Sequence, residues 1–392
     1  MPPVLKANWN YPTKVWHGPG RIVELAEACR QARISQPLLV TDAGLRDSAI
    51  IEDALARLEV AGLSAPLFSD VKGNPTGANV DAGLNAYRQG NCDGVVAMGG
   101  GSALDIGKCI AFMSGQARPL WDFEDVDDWW TRADPSGIAP IVAVPTTAGT
   151  GSEVGRAAVV THTASHEKKI IFHPQMLPAI VISDPELTVG LPPKLTAWTG
   201  MDALAHCMEA YCAPGFHPMA DGIAVEGLKL IKAFLPRAVE DGGNIEARSR
   251  MLAAASMGAT AFQKGLGAVH SISHPVGAIY DTHHGLTNGI VMPYVLSYNR
   301  PVIADRMDDL ANALKLSGKG LDGVLGWLIE MRERLYVPNT LADLGVEEAR
   351  IDELAEKAQR DPSTGGNPVP MTVDGFRTLI RAAILGDLTV SA

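Results

Sequence analysis

Gly94-Val95-Val96-Ala97-Met98 runs directly into Gly99-Gly100-Gly101-Ser102-Ala103-Leu104-Asp105-Ile106-Gly107-Lys108. The first five residues read as a buried strand and those after the glycines as a helix. Glycines let backbone approach a phosphate closely, and the amides at a helix start offer unpaired N–H groups and a positive dipole end. Ser102 and Asp105 form an S-x-x-D capping pattern, which predicts a helix beginning immediately after the glycines. A tight turn needs fewer than three consecutive glycines, so the stretch reads as a phosphate cradle.

Outward from this unit, the first half alternates strand-like and helix-like segments. Strands are expected at 37–41, 139–144 and 179–182, and helices at 22–33, 48–61, 80–89 and 102–113. Continuous apolar strands alternating with helices predict a parallel sheet covered on both faces. The character changes near Asp184-Pro185-Glu186-Leu187; beyond Leu191-Pro192-Pro193 the patterns are helical, strongest at 220–238, 245–264, 300–316 and 321–335. The expected organisation is an α/β domain over 1–187 and an all-helical domain over 188–392, with no internal repeat.

Asp42 ends the first buried strand. A carboxylate there can accept hydrogen bonds from a ribose 2′-hydroxyl and repel a 2′-phosphate, or simply cap the next helix. Pro145-Thr146-Thr147-Ala148-Gly149-Thr150-Gly151-Ser152-Glu153 is a second turn at a strand end, where ligands bind in open α/β sheets. It reads either as a cofactor-lining loop or as a plain Ser/Thr loop.

The helical half carries a different chemistry. Asp202 and His206 stand four apart among helix formers and so share one helix face. Four of the ten histidines fall in the fifteen residues from His270 to His284, namely His270, His274, His283 and His284. A carboxylate with imidazoles predicts a divalent metal. Cys207 adjoins His206, but one helical step turns it about 100° away, so it reads as core packing.

Composition narrows the function. The 392 residues are 46% hydrophobic and 20% charged, with a formal net charge of −11 and no long Lys/Arg run. Nucleic acid and anionic membrane are therefore not expected as partners. Residues 1–14 show no secretory signal and no run of apolar residues is long enough to span a membrane. Five cysteines without paired spacing read as reduced thiols of a cytoplasmic protein.

Together these motifs resemble the iron-containing (group III) alcohol dehydrogenases. The resemblance is carried by the 99–105 cradle, the 145–153 loop, Asp184-Pro185-Glu186-Leu187, and Thr199-Gly200-Met201-Asp202-Ala203-Leu204-Ala205-His206 with Glu209-Ala210-Tyr211. His270-Ser271-Ile272-Ser273-His274-Pro275, His284-Gly285 and Asp361-Pro362-Ser363-Thr364-Gly365-Gly366-Asn367-Pro368 extend it, in order, from about residue 12 to 388. It implies a dehydroquinate synthase-like architecture: an N-terminal dinucleotide-binding domain with a parallel sheet and an all-α metal-binding domain. The family's metal ligands fall on Asp202, His206, His270 and His284, with His274 close by as a non-ligand. Asp42, Asn74, Gly99, Gly100, Gly101, Ser102, Thr146 and Thr147 match cofactor-binding positions, as does Lys168, whose register against Lys169 is ambiguous by one residue. His283, where the family often has another residue, reads as pocket-lining or surface.

The activity implied is metal-dependent, NAD(P)-linked interconversion of a small alcohol and its aldehyde. Fe(II) is preferred to Zn(II), NAD to NADP, and a homo-oligomer is allowed. A Lewis acid there would polarise the substrate oxygen while hydride passes to nicotinamide at an interdomain cleft. His274 is the candidate proton relay. Glycerol dehydrogenase-like and maleylacetate reductase-like roles, a dehydroquinate synthase-type lyase and a non-catalytic NAD- or metal-binding module are the alternatives. The lyase would need several basic residues beside the metal, and Lys264 is the nearest in the second histidine segment. Glu209 reads as a cap or ion pair, or as a hydrogen-bond partner of a ligand. Trp121 to Trp130 reads as a substrate entrance or as a surface loop packing its aromatics inward. His17, His162, His166, His173 and His217 read as structural or surface residues.

Overall fold

The computed structural model describes residues 13–392. The reading of the N-terminal segment as lacking a leader falls largely on residues 1–12, outside that range. The chain divides into two compact units, one formed by Tyr11–Leu191 and the other including Pro192–Ala392.

The first unit is built on a six-stranded, fully parallel sheet. Its strands are β1 (Lys14–His17), β2 (Pro37–Val40), β3 (Leu67–Phe68), β4 (Gly94–Gly99), β5 (Ile141–Pro145) and, after a hairpin, β8 (Ile180–Ser183); the order is β1-β8-β5-β4-β2-β3. The hairpin is an antiparallel pair, β6 (Ala157–His162) and β7 (Glu167–Phe172). Helices α1 (Leu25–Gln31), α2 (Ala49–Val60), α3 (Gly77–Gln89) and α4 (Gly101–Met113) complete the unit. Strands β2, β4, β5 and β8 are buried throughout, which is why their apolar runs are unbroken. Alternate residues serve opposite faces. Leu39, Val96, Met98, Val142 and Val144 join one core with α1 and α2. Ala97 meets α4 on the other face, where a Cβ on Gly107 would come 2.6 Å from Ala97 Cβ.

Beyond Ser183 the described residues contain no strand. The helices are α5 (Pro193–Cys212), α6 (Pro218–Glu240), α7 (Ile245–Ala261), α8 (Ala268–Tyr280), α9 (His284–Tyr298), α10 (Arg300–Ala313), α11 (Gly320–Arg334), α12 (Ile351–Gln359) and α13 (Val373–Leu385). α5 is the axis of this unit: it packs against α6, α7 and α9, and is buried almost without interruption from Gly200 to Cys212. Nearly all of α8 and α9 is likewise buried. α9 in particular lacks the polar face that makes a helix easy to find in sequence. Among the described residues, no helix is long and apolar enough to cross a membrane.

Candidate active site

The cradle departs from the expected capping pattern. α4 starts at Gly101 with Gly100 as its cap, and Ser102 Oγ donates to Gly73 O at 2.9 Å rather than capping the helix. Asp105 is committed elsewhere: it accepts from Ser152 Oγ and from Val159 N (2.9 Å) and pairs with Lys108 at 3.2 Å. The side chain that serves the helix start is instead Asp42, whose Oδ2 accepts from the N–H of the capping Gly100 at 2.7 Å. Burial pushes the Asp42 carboxyl above its ordinary pKa, against the Gly100 and Ala103 amides that hold it down. Asp42 thus serves the start of α4 and not the next helix along the chain, as the capping alternative had it. Packing accounts for two of the three glycines. A Cβ on Gly99 would lie 2.5 Å from Asp42 Oδ2, and one on Gly101 2.5 Å from Thr150 Cγ2. At Gly100 the nearest atoms, Asp42 Oδ2 at 3.5 Å and Thr147 Cγ2 at 3.6 Å, would lie in ordinary van der Waals contact with a Cβ, so packing does not demand a glycine there.

The 145–153 loop is fastened to the same helix. Thr146 N donates to Gly99 O at 2.9 Å, and Thr147 lies 3.6 Å from where a Gly100 Cβ would stand. Lys108, 1% exposed, donates to Ser152 O (3.1 Å) and to Ala157 O, so a buried ammonium ties the loop and the hairpin to α4. The turn carrying Asn74 is joined to the hairpin through Thr161 N, which donates to Pro75 O at 2.7 Å. Lys168 lies on β7 opposite Thr161, and Lys169 pairs with Glu124 at 2.6 Å. The tryptophan segment packs on this hairpin: Trp121 meets His162 edge-on at 4.8 Å and Trp130 meets His173 at 5.9 Å. All three tryptophans are half-buried, and Trp129 lies under the Arg132 guanidinium at 4.0 Å.

In the helical unit, Asp202, His206 and His270 bring ligand atoms within 4.8 Å of one another, all three residues buried. α5 supplies the first two and α8 the third. His284, the first residue of α9, places Nε2 3.5 Å from Asp202 Oδ1, but does not belong to that tightest group. Close helix packing produces this convergence: a Cβ on Gly285 would lie 2.1 Å from Trp198 O and 2.9 Å from Asp202 Cβ.

Hydrogen bonds orient the rings. Glu209 does both things the sequence suggested, since it accepts from Val269 N at 2.8 Å at the start of α8 and bonds His270 Nδ1. With Nδ1 so occupied, His270 presents Nε2 to the cluster. Burial lowers the His270 pKa, but Glu209, Asp202 and Asp361 outweigh it and the net shift is upward. His274 stacks on His284 with ring centroids 5.2 Å apart, and its Nδ1 bonds Asp361 Oδ2 at 2.7 Å. Burial alone would raise the Asp361 carboxyl; His274 and Ser363 outweigh it and hold it below the usual range. Asp361 and Asn288 are partners that sequence reasoning did not assign. The usable signal was the four-residue spacing of Asn288 from His284, on a helix that the sequence reading did not identify.

Other residues settle outside the cluster. Cys207 is buried against Gly227, its thiol pushed up to about 12 by burial, and all five cysteines are unpaired. Lys264 Nζ is bound to Asp221 at 2.6 Å. His283 lies against Trp198 at 5.1 Å. His17 bonds Ser183, while His173 and His217 accept backbone amides at helix starts.

One carboxylate and several imidazoles converging in a buried pocket suit a divalent ion of borderline softness such as Fe(II) or Zn(II). Comparison with known proteins bears on the same point. Residues 12–185 match the family described as iron-containing alcohol dehydrogenase, and residues 196–384 its C-terminal part. The chain is 38% identical over 375 residues to 4-hydroxybutyrate dehydrogenase of Cupriavidus necator, covering 93% of this chain and 96% of that protein. It resembles the crystal structure of 1,3-propanediol oxidoreductase with a TM-score of 0.91 and 34% identity, over 96% of this chain and 100% of the other. A sulfoacetaldehyde reductase from Bifidobacterium kashiwanohense, solved with NAD+, gives a TM-score of 0.88 and 30% identity over 97% and 100%. The chain therefore belongs to the iron-containing alcohol dehydrogenase family, as an oxidoreductase that links alcohol and aldehyde to a nicotinamide cofactor.

Proposed function

We propose that Asp202, His206, His270 and His284 hold one divalent cation, Fe(II) in preference to Zn(II), and that the enzyme interconverts a short primary alcohol and its aldehyde with NAD. The observation that carries this reading is the convergence of the Asp202, His206 and His270 donor atoms within 4.8 Å, beside His284 Nε2. When bound, such an ion supplies Lewis acidity, which lowers the pKa of an alcohol hydroxyl or polarises an aldehyde carbonyl. The protein does the rest. Glu209 holds His270 in the tautomer that leaves Nε2 free, and Phe262, facing His206 at 5.1 Å, provides an apolar wall. His274, held at Nδ1 by Asp361, has Nε2 available to take a proton from the substrate hydroxyl and return it to water.

In the other unit, Asp42, Asn74, the 99–102 cradle, Thr146, Thr147 and Lys168 would bind the dinucleotide. The compounds in the names of those relatives, 4-hydroxybutyrate, 1,3-propanediol and sulfoacetaldehyde, are short chains ending in a hydroxyl or an aldehyde, which supports a small substrate of that class. The five unpaired cysteines support a reducing, cytoplasmic setting.

Following NADH at 340 nm with a panel of short alcohols, before and after chelation, tests the proposal. Turnover should vanish with chelator and return with added Fe(II) or Zn(II). Full activity in metal-free protein would overturn it. No turnover of any alcohol by metal-replete protein would favour the binding module.

Asp42→Ala tests cofactor choice. Losing the carboxylate removes its repulsion of a 2′-phosphate and its bond to Gly100, so affinity for both cofactors should fall. The ratio of kcat/KM for NADP over NAD should nevertheless rise by roughly tenfold, the equivalent of about 1.4 kcal/mol. An unchanged ratio would remove Asp42 as the ribose reader and leave it serving the start of α4 alone.

A further inference from the structure

Asn288 lies in α9 one turn after His284 and is fully buried. Its Nδ2 donates to Asp202 Oδ1 at 2.8 Å, and lies 3.3 Å from His270 Nε2 and 3.2 Å from His284 Nε2. The amide is thus aimed at three of the four proposed ligands at once, on three different helices. Its orientation follows from charge. Turning the amide over would set Oδ1 against the Asp202 carboxylate and two imidazole lone pairs, which are acceptors as well. Holding this orientation leaves Asn288 Oδ1 buried with no hydrogen-bond partner. A buried amide that forgoes a bond on one side to face an acceptor cluster on the other is not placed by packing alone, because an unmade buried hydrogen bond is destabilising.

Resting on the metal-site reading above, we propose that Asn288 is a positioning residue for the cation. Its amide holds Asp202 Oδ1, the carboxylate oxygen nearest His206 and His284, and keeps the three helices in register around the site. A carboxylate oxygen has a second lone pair, so the bond to Asp202 persists when the ion is bound. The longer contacts to the two imidazoles give way, since those lone pairs are needed for coordination.

The test compares the metal affinity of wild type, Asn288→Ala and Asn288→Leu by competition with a chelator, using Zn(II) as the probe and circular dichroism to confirm folding. Alanine removes the donor and leaves room, so an ion cannot be sterically excluded. Leucine keeps nearly the same volume, so a cavity cannot be blamed. Both variants should bind Zn(II) about 10- to 100-fold more weakly than wild type, the range found for partners that orient metal ligands. The visible spectrum of Co(II)-substituted protein should also change in both. Wild-type affinity in either folded variant would overturn the proposal, and so would weakening in leucine alone. Failure of both variants to fold would also overturn it, by assigning Asn288 to the core rather than to the ion. Failure of wild type itself to retain Zn(II) would instead overturn the metal-site reading.

Discussion

His270→Ala should give a protein that neither keeps its metal nor turns over alcohol. The side chain sits at the start of α8, its Nδ1 occupied by Glu209 and its Nε2 turned toward Asp202 and Asn288. Truncation removes one of three buried donors from the tightest part of the cluster. Lewis-acid polarisation contributes several kcal/mol, and each 1.4 kcal/mol is a factor of ten, so turnover should fall by about a thousandfold or more. The same change strands Glu209, which is 6% exposed and would lose its imidazole partner. A buried charge left without its partner destabilises by on the order of 3 kcal/mol. The double variant His270→Ala/Glu209→Gln separates the two effects: melting temperature should recover, and metal binding should not. An active, metal-replete His270→Ala protein would remove His270 from the ligand set.

Gly285→Ala should be nearly as damaging, although the change adds one methyl group and no charge. That methyl would stand 2.1 Å from Trp198 O, a backbone atom that cannot rotate away, and 2.9 Å from Asp202 Cβ. To accept it, α9 must move away from α5, carrying His284 away from Asp202. Overpacking costs about 1–3 kcal/mol where side chains can adjust; against backbone we expect on the order of 3 kcal/mol or more. For a unit of this size that corresponds to a fall in melting temperature of roughly 6–12 °C. Zn(II) affinity should drop together with stability, because the contact that is lost is the one that sets the spacing of the ligands. A variant with wild-type melting temperature and metal affinity would show that the approach of the two helices is not needed for the site.

The sequence shows some of this architecture directly. β2, β4, β5 and β8 are readable because central parallel strands, buried on both faces, are continuous runs such as Val95-Val96-Ala97-Met98. The β6–β7 hairpin escapes such a reading, since Glu167-Lys168-Lys169 opens one strand with three charged residues and most of β7 is only half-buried. β3 has two residues and β1 is largely exposed, so neither leaves a pattern. α9 fails for the opposite reason: buried on nearly all sides, it shows no amphipathic period.

At the site, spacing alone pairs Asp202 with His206, and family resemblance adds His270 and His284. Of the groups that orient them, Glu209 stands on the same helix as Asp202 and His206 and is readable there as a partner of a ligand. Asp361, by contrast, comes to His274 from a distant part of the chain, and no local spacing announces that contact. Ser102 and Asp105 show how a local rule is overridden. The capping pattern is present in sequence, but Asp105 is needed by Ser152, Val159 and Lys108, and Asp42 takes over the helix start.

The most direct test of the account is a crystal structure of protein purified anaerobically, with anomalous differences collected on both sides of the iron edge. We expect one metal peak in the helical unit, about 2.0–2.2 Å from an Asp202 carboxylate oxygen and from a ring nitrogen each of His206, His270 and His284. Crystals of active enzyme with no metal at that point, or with a metal bound by other residues, would contradict it.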